Sequence, residues 1–319
     1  MKKAFITGVT GQVGSYLAEL LLEKDYEVYG LIRRSSTENK WRITKALKEG
    51  LQLIDGDITD APSLNYIFKT YGPFDDVYNL AAQSDVGLSW KQPISTAKIT
   101  GLGCMNILEA IRQNSPESKF LQASTSELFG KSLVFPQDEN TIIAPRSPYG
   151  VSKAFAHFAT INYRESYDLF ACCSICYNNE SPRRGINFVT QKIVQAAKRI
   201  AIGEQDFLYL GNLDSIRDWS HSRDMVKGMW LALQQDEPEE YLFASGTAHT
   251  VEEFCKATFD VLDLDYKEYV KINPEFIRPA EVHKLVGDST KAKTKLHWKQ
   301  QYDFDSLIED MVFNTNDWS

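Results

Sequence analysis

The stretch Lys3-Ala4-Phe5-Ile6-Thr7-Gly8-Val9-Thr10-Gly11-Gln12-Val13-Gly14 decides the fold. A short apolar strand, Lys3–Thr7, leads into a glycine-rich turn, and a helical pattern follows from Ser15 to Glu23. Strand, glycine turn and helix in that order open a dinucleotide-binding unit. Glycines at 8, 11 and 14 let the backbone turn tightly, approach a pyrophosphate and pack the helix against the sheet. The helix N-terminus adds oriented N–H donors and a positive dipole end.

Working outward, strand-like segments recur at Glu27–Ile32, Leu51–Ile54, Asp76–Leu80 and Lys119–Ala123. Helical spacing of apolar residues fills 60–70 and 95–113. This alternation predicts an α/β fold, a Rossmann-type doubly wound parallel sheet with ligand at the carboxyl ends of its strands. After Pro148 a long helical pattern runs to about Tyr167, followed by the buried strand Phe170–Tyr177. Beyond Asn178 the alternation weakens and the loops become richer in Arg, Asn and Pro. The expected organisation is a cofactor domain of residues 1–177 plus 221–245, with a smaller C-terminal substrate-binding lobe of 178–220 plus 246–319. The acidic run at 236–240 reads as a solvated turn.

The 319 residues are 43% hydrophobic and 24% charged, which are globular proportions. Forty-three Asp and Glu against 35 Lys and Arg give a net charge of -8, the wrong sign for sequence-independent binding to nucleic acid. No stretch approaches the roughly 18 apolar residues of a membrane span. The apolar run after Lys3 is broken within a few residues by Thr7, Gly8, Thr10 and Gly11, unlike a secretory signal. Five cysteines, an odd number, suit a reducing compartment, and a cytoplasmic location is expected. Cys173 and Cys176 lie three apart on a strand and so point to opposite faces. No second Cys pair or close-set His cluster completes a metal site, so no metal is expected.

Which dinucleotide is expected follows from the end of the second strand. An NAD site usually carries an acidic residue there, whereas this chain has Arg33-Arg34-Ser35-Ser36, which suits a 2′-phosphate and therefore NADP. Asp57, at the third strand's end, is placed to accept from the adenine amino group. On the long helix, Tyr149-Gly150-Val151-Ser152-Lys153 puts a phenol and an ammonium four apart on one face. A neighbouring ammonium favours phenolate, so Lys153 is expected to lower the pKa of Tyr149 and make it a base near neutral pH. Upstream, Ala123-Ser124-Thr125-Ser126-Glu127 brings a hydroxyl to the strand end where Tyr149 and a nicotinamide would meet.

With this combination the chain resembles the extended short-chain dehydrogenase/reductases, and among them the family of GDP-mannose 4,6-dehydratases. The stretches that carry the resemblance are Thr7–Leu17, Gly30–Ser36, Tyr78–Ser84, Ala123–Gly130, Pro145–Lys153, Asn178–Lys192, Leu210–Trp219 and Arg278–Val282. What it implies is an internal redox cycle. Tyr149, with Lys153 and Thr125, takes the 4-hydroxyl proton of a GDP-sugar, GDP-mannose first, while hydride leaves C4. Glu127 removes the C5 proton and helps expel the 6-hydroxyl, and hydride returns to C6.

The resemblance also implies an NADP site of Gly8, Thr10, Gly11, Gln12, Val13, Gly14, Arg33, Arg34, Ser35, Ser36, Asp57, Ile58, Leu80, Ala81, Ala82, Gln83, Ser84, Asn179 and Arg184, with Tyr149 and Lys153. For the substrate it implies Ser84, Asp85, Ser126, Glu127 and Asn178, with Arg217 and Arg278 on the diphosphate, Val189 and Lys192 at the guanine, and Glu281 on the ribose. Assembly into a homodimer or homotetramer is implied as well, with Arg184 reaching a neighbour's cofactor phosphate.

The chain departs from the family pattern at Val13 (usually Asp), Asn179 (usually His) and Phe129 (often Tyr), and Asp85 stands at a variable place beside the sugar. The alternatives are a dehydratase of a related GDP-sugar such as a manno-heptose, an NADP-dependent reductase of a GDP-4-keto-6-deoxy sugar, and a catalytically idle dinucleotide sensor. Glu127 weighs against the reductase, and the intact Tyr149 and Lys153 weigh against the sensor.

Overall fold

The structure, a computed structural model, describes residues 1–36, 39–276 and 282–315. Its centre is a seven-stranded sheet built from β1 (Lys3–Thr7), β2 (Glu27–Ile32), β3 (Gln52–Asp55), β4 (Asp76–Asn79), β5 (Lys119–Thr125), β6 (Ala171–Cys176) and β7 (Glu240–Phe243). The order is β7-β6-β5-β4-β1-β2-β3, and every pairing is parallel. The order reverses between β1 and β4, which opens a crevice at their carboxyl ends.

The helices that position the site are α1 (Gln12–Glu23), α2 (Ala61–Tyr71), α3 (Gly103–Asn114), α4 (Pro148–Tyr167), α5 (Val189–Ala201), α6 (Ser222–Leu233), α7 (Val251–Asp260) and α8 (Phe304–Asn314). One face of the sheet packs α1 and α6, where Leu17, Leu21, Met225 and Met229 meet Ala4, Ile6 and Val28. The other packs α2, α3 and α4, where Phe68, Ile107 and Ala156 meet Phe5, Val77 and Phe120. Both faces are buried, so the strands read as near-continuous apolar runs.

A separate apolar cluster gathers α5, α7 and α8 around Leu208, Leu210 and Trp219, within the stretches expected for the lobe. Residues 292–298 of that stretch belong elsewhere. Ala292, Leu296 and Trp298 pack into the sheet's core, and Trp298 Nε1 donates to the Asp224 carbonyl at 2.8 Å.

Several expectations change in the details. The region 95–113 is a π-helical turn, Ala97–Leu102, followed by α3. β5 continues two residues past Ala123, so Thr125 is part of the strand. The acidic run does more than face water: Glu240 begins β7 and pairs with Arg164 at 2.7 Å, and Glu239 pairs with Lys291 at 2.7 Å. A cluster of like charge is legible locally, but the cations that meet it come from distant segments. The five cysteines are buried free thiols, and burial pushes Cys173 and Cys176 up, Cys176 to about 11. Among the described residues, no group of three His, Cys, Asp or Glu side chains could hold a metal, and no helix is long and apolar enough to cross a membrane.

Candidate active site

A cleft of about 780 Å³ runs across the carboxyl ends of the strands. At its floor, Gly8 has φ +69°, and a Cβ there would lie 2.8 Å from Ala81 N. A Cβ on Gly14 would lie 2.3 Å from Gly8 O, so that position has room only for hydrogen. Gly11 occupies the N-cap of α1 and supplies no side chain to satisfy the first-turn N–H groups. A tight glycine cradle ending on an uncapped helix N-terminus fits the pyrophosphate of a dinucleotide.

Thr10, Gln12, Val13, Ile58, Leu80, Ala81, Ala82, Gln83, Ser84 and Asn179 line the same cleft. Gln12 ties the glycine loop to the far wall, donating to Asn179 O at 2.9 Å and accepting from Ser181 Oγ at 2.7 Å. At the adenine end Asp57 accepts from Thr59 N at 2.8 Å and Thr59 Oγ1 at 2.7 Å. Burial raises its carboxyl, but those bonds and the Arg33 charge outweigh it, and the net direction is down.

Of the arginine–serine run only Arg33 lines the cleft. Arg34, Ser35 and Ser36 are exposed, because the chain turns outward once β2 ends at Ile32.

The reacting groups come from β5, the turn after it and α4. Thr125 caps the tight turn Ser126–Phe129, its Oγ1 accepting from Glu127 N at 3.3 Å. That turn brings Ser126 and Glu127 into the cleft wall. Ser147 caps α4, accepting from Gly150 N at 3.0 Å, and Pro148 occupies its first turn. A Cβ on Gly150 would lie 3.0 Å from Glu127 O, so α4 starts directly against the turn. Tyr149 and Thr125 are each 8% exposed, and the Thr125 side chain acts on the phenol to lower its pKa.

The electrostatics differ from what the spacing suggested. Burial pushes the Tyr149 phenol well above its ordinary value; the Thr125 side chain and the Arg184 charge pull it down, and Glu127 pushes it up. Lys153 Nζ lies 5.9 Å from the centroid of the Tyr149 ring and donates instead to the Ala123 carbonyl at 2.6 Å. Burial lowers Lys153 itself to about 8. The expected lowering of Tyr149 by Lys153 is therefore outweighed, because both groups are desolvated and each disfavours its charged form. One turn further along α4, buried His157 shares a 3.1 Å hydrogen bond with Ser124 and is lowered to about 4 by burial.

Asp85 lines the cleft, and on the lobe side so do Asn178, Val189, Lys192 and Arg217. Asp85 also caps the short helix Val86–Lys91, accepting from Leu88 N at 3.0 Å. Arg217 donates to Ile216 O at 2.9 Å. Arg184, expected to reach a neighbouring subunit, faces this chain's own cleft. Its Nε is 3.0 Å from buried Glu180, and its guanidinium stacks 3.6 Å from the Phe188 ring centroid. Glu180 also accepts from Thr190 Oγ1 at 2.6 Å, and this pair of partners holds the arginine in place. Arg278 and Glu281 lie outside the described residues. Asn187, Tyr209, Asn212, Ser215 and Phe276 also line the lobe side. No motif singles them out, since they reach the cleft only through the lobe's packing.

A doubly wound sheet carrying a glycine cradle and a Tyr–Lys helix beside a strand-end hydroxyl defines a nicotinamide-dependent enzyme of the short-chain dehydrogenase/reductase class. A model of the family described as GDP-mannose 4,6 dehydratase matches residues 5–311, and the chain belongs to that family. It is 49% identical to GDP-mannose 4,6 dehydratase 2 of Arabidopsis thaliana, over 98% of this chain and 86% of that one. It is 44% identical to the human GDP-mannose 4,6 dehydratase, over 97% and 90%. Among solved structures, UDP-glucose 4-epimerase of Thermotoga maritima superposes with a TM-score of 0.86 at 25% identity over 97% of each chain. A dTDP-glucose 4,6-dehydratase of Streptomyces venezuelae, solved with NAD, superposes at 0.87 with 24% identity over 97% and 95%, a likeness of fold.

Proposed function

We propose that this enzyme converts GDP-mannose to GDP-4-keto-6-deoxymannose and water, with NADP as its resident cofactor. The observation that carries the reading is the shared cleft: the Glu127 carboxylate stands two residues beyond Thr125 and in the same wall as Tyr149. A simple dehydrogenase has no use for a second base there.

The glycine cradle, Asp57 and Arg33 would hold the cofactor, which when bound would supply the hydride acceptor for C4 of the hexose and the hydride donor for C6. Tyr149, as phenolate, accepts the proton of the 4-hydroxyl, and the Thr125 hydroxyl holds the phenol oxygen in line. Lys153 and Arg184 place positive charge nearby, which favours the phenolate. With a ketone at C4 the C5 hydrogen becomes acidic. Glu127 removes it, then passes the same proton to the departing 6-hydroxyl, which leaves as water. Tyr149 returns its proton to C5, so both side chains end as they began and no net oxidation occurs.

Arg33 supports NADP over NAD, since a guanidinium suits a 2′-phosphate better than a ribose diol. Incubation of the purified protein with GDP-mannose and NADP⁺, without added reductant, is expected to yield the 4-keto-6-deoxy sugar nucleotide by mass spectrometry, and NAD⁺ to support it less well. An enzyme that forms product only when a reductant is consumed is a reductase instead. A panel of GDP-sugars including a manno-heptose tests the choice of sugar, where Asp85 lines the cleft.

The same reading includes a homodimer or homotetramer. Trp90, Ile94, Leu102, Val151, Phe155 and Phe158 are exposed on α4 and the helical turns packed beside it, an apolar face of the kind a second copy covers. Light scattering coupled to gel filtration is expected to give a mass of two or four chains; a monomer at micromolar concentration contradicts this. Buried free cysteines suit a reducing compartment, and cell fractionation tests the cytoplasmic location.

A further inference from the structure

Three buried polar side chains cross the middle of the sheet beneath the cleft, where the surrounding core is apolar. Thr7 on β1 is 0% exposed, and Asn79 on β4 and Gln122 on β5 are each 1% exposed. Leaving such groups unpaired is costly, and they form a chain with a single direction.

The cofactor loop sets that direction. Thr7 Oγ1 accepts from Leu80 N and from Ala81 N, both at 3.1 Å. With its oxygen so used, the hydroxyl must donate, and it does so to Asn79 Oδ1 at 2.6 Å. The Asn79 amide nitrogen then faces Gln122 Oε1 at 2.6 Å. Gln122 Nε2 in turn donates to the Ala123 carbonyl at 2.8 Å. That carbonyl also accepts the Lys153 ammonium at 2.6 Å.

From this geometry we infer that Gln122 is a positioning residue: it fixes the Ala123 carbonyl and thereby the seat of the Lys153 ammonium beneath Tyr149. Asn79 acts through Gln122. The inference rests on the functional reading above, in which Lys153 supports Tyr149. It explains why a sheet core otherwise filled by Phe, Val and Ile keeps an amide ladder at this place: an apolar pair would fill the volume but leave the carbonyl unheld. A carbonyl has two acceptor sites, and with one taken by Gln122 the other defines where the ammonium sits. The titratable groups facing Lys153 are Tyr149 on its own helix, Cys104 on α3, and Cys173 and Cys176 on β6.

The test compares wild type, Gln122→Met, Asn79→Leu and the double variant in the full chain. Displacing a catalytic group by a fraction of its own size is expected to lower kcat roughly 10- to 100-fold, with KM for GDP-mannose within about twofold. The double variant should lose no more than the larger single, since one residue acts through the other. Independently of turnover, the Lys153 signal in [13Cε]lysine-labelled protein, assigned by its loss in Lys153→Arg, should titrate at lower pH in Gln122→Met, because an ammonium without a fixed acceptor gives up its proton more readily.

An unmoved titration, or losses that multiply in the double variant, would overturn the inference. Wild type that makes no product from GDP-mannose would overturn the functional reading instead, and the titration would still decide the ladder. Should Gln122→Met fail to fold, Asn79→Leu, which leaves Gln122 present but unaimed, reads the same two quantities.

Discussion

Tyr149→Phe is expected to abolish turnover of GDP-mannose almost completely while leaving substrate and cofactor binding near wild type. The phenol is buried, so a phenyl ring occupies the same space and only the hydroxyl is lost. Loss of one hydroxyl costs about 1 kcal/mol of stability, well within what a folded domain of this size tolerates. The effect on rate is far larger. Removing a positioned acid–base group typically costs ~10²–10⁴-fold, or about 3–5 kcal/mol of barrier.

The pH profile separates this role from a structural one. Tyr149 is held above its ordinary pKa by burial, so the phenolate fraction grows with pH. Lys153 is lowered to about 8, so the supporting ammonium is lost as pH passes that value. Activity should rise toward pH 8 and fall beyond it, and the rising limb should vanish in Tyr149→Phe. Steady-state kinetics across pH measure both; a variant that keeps more than a tenth of wild-type kcat would show that the proton goes elsewhere.

Glu127→Gln is expected to stop the reaction midway. The amide has the shape of the carboxylate but cannot take the C5 proton or pass it to the leaving hydroxyl. Oxidation at C4 uses Tyr149 and survives, so the variant should form a GDP-4-keto-hexose that keeps its 6-hydroxyl. In deuterium oxide, wild type should introduce deuterium at C5 and the variant should not. Dehydration is expected to slow by ~10²–10⁴-fold, the range for loss of one general base. Mass spectrometry of the sugar nucleotide reads both outcomes together. Normal yield of the 6-deoxy product from Glu127→Gln would transfer the role to another group, and Ser126, Asp85 or a water would become the candidates to examine.

Glutamine also removes a negative charge that pushes the Tyr149 phenol upward. The first oxidation in Glu127→Gln should therefore show its rising limb at lower pH than wild type.

Much of this was present in local pattern. The glycines at 8, 11 and 14, the strand before them and the helix after them lie within one short stretch, and backbone sterics there leave little choice of conformation. The alternation of apolar runs with helical spacing likewise determined a doubly wound sheet, because each strand must bury both faces. Tyr149 and Lys153 are four apart on a helix, a proximity that any helix enforces.

The tertiary structure alone decided what these groups do to one another. Lys153 addresses the Ala123 carbonyl, 30 residues away, and the burial that surrounds both residues reverses the expected pull on Tyr149. Thr7 meets Asn79 across 72 residues, and Arg183 finds Glu19 across 164. Arg184 turns into its own cleft because Glu180 and Phe188 hold it there. Arg34, Ser35 and Ser36 leave the cleft although Arg33 stays. Hydrogen bonds and desolvation act over a few ångströms of space, whatever the distance along the chain. Residue types and spacing therefore determined the scaffold and the identity of the reacting groups, whereas their protonation, partners and aim were set only when the strands and helices packed.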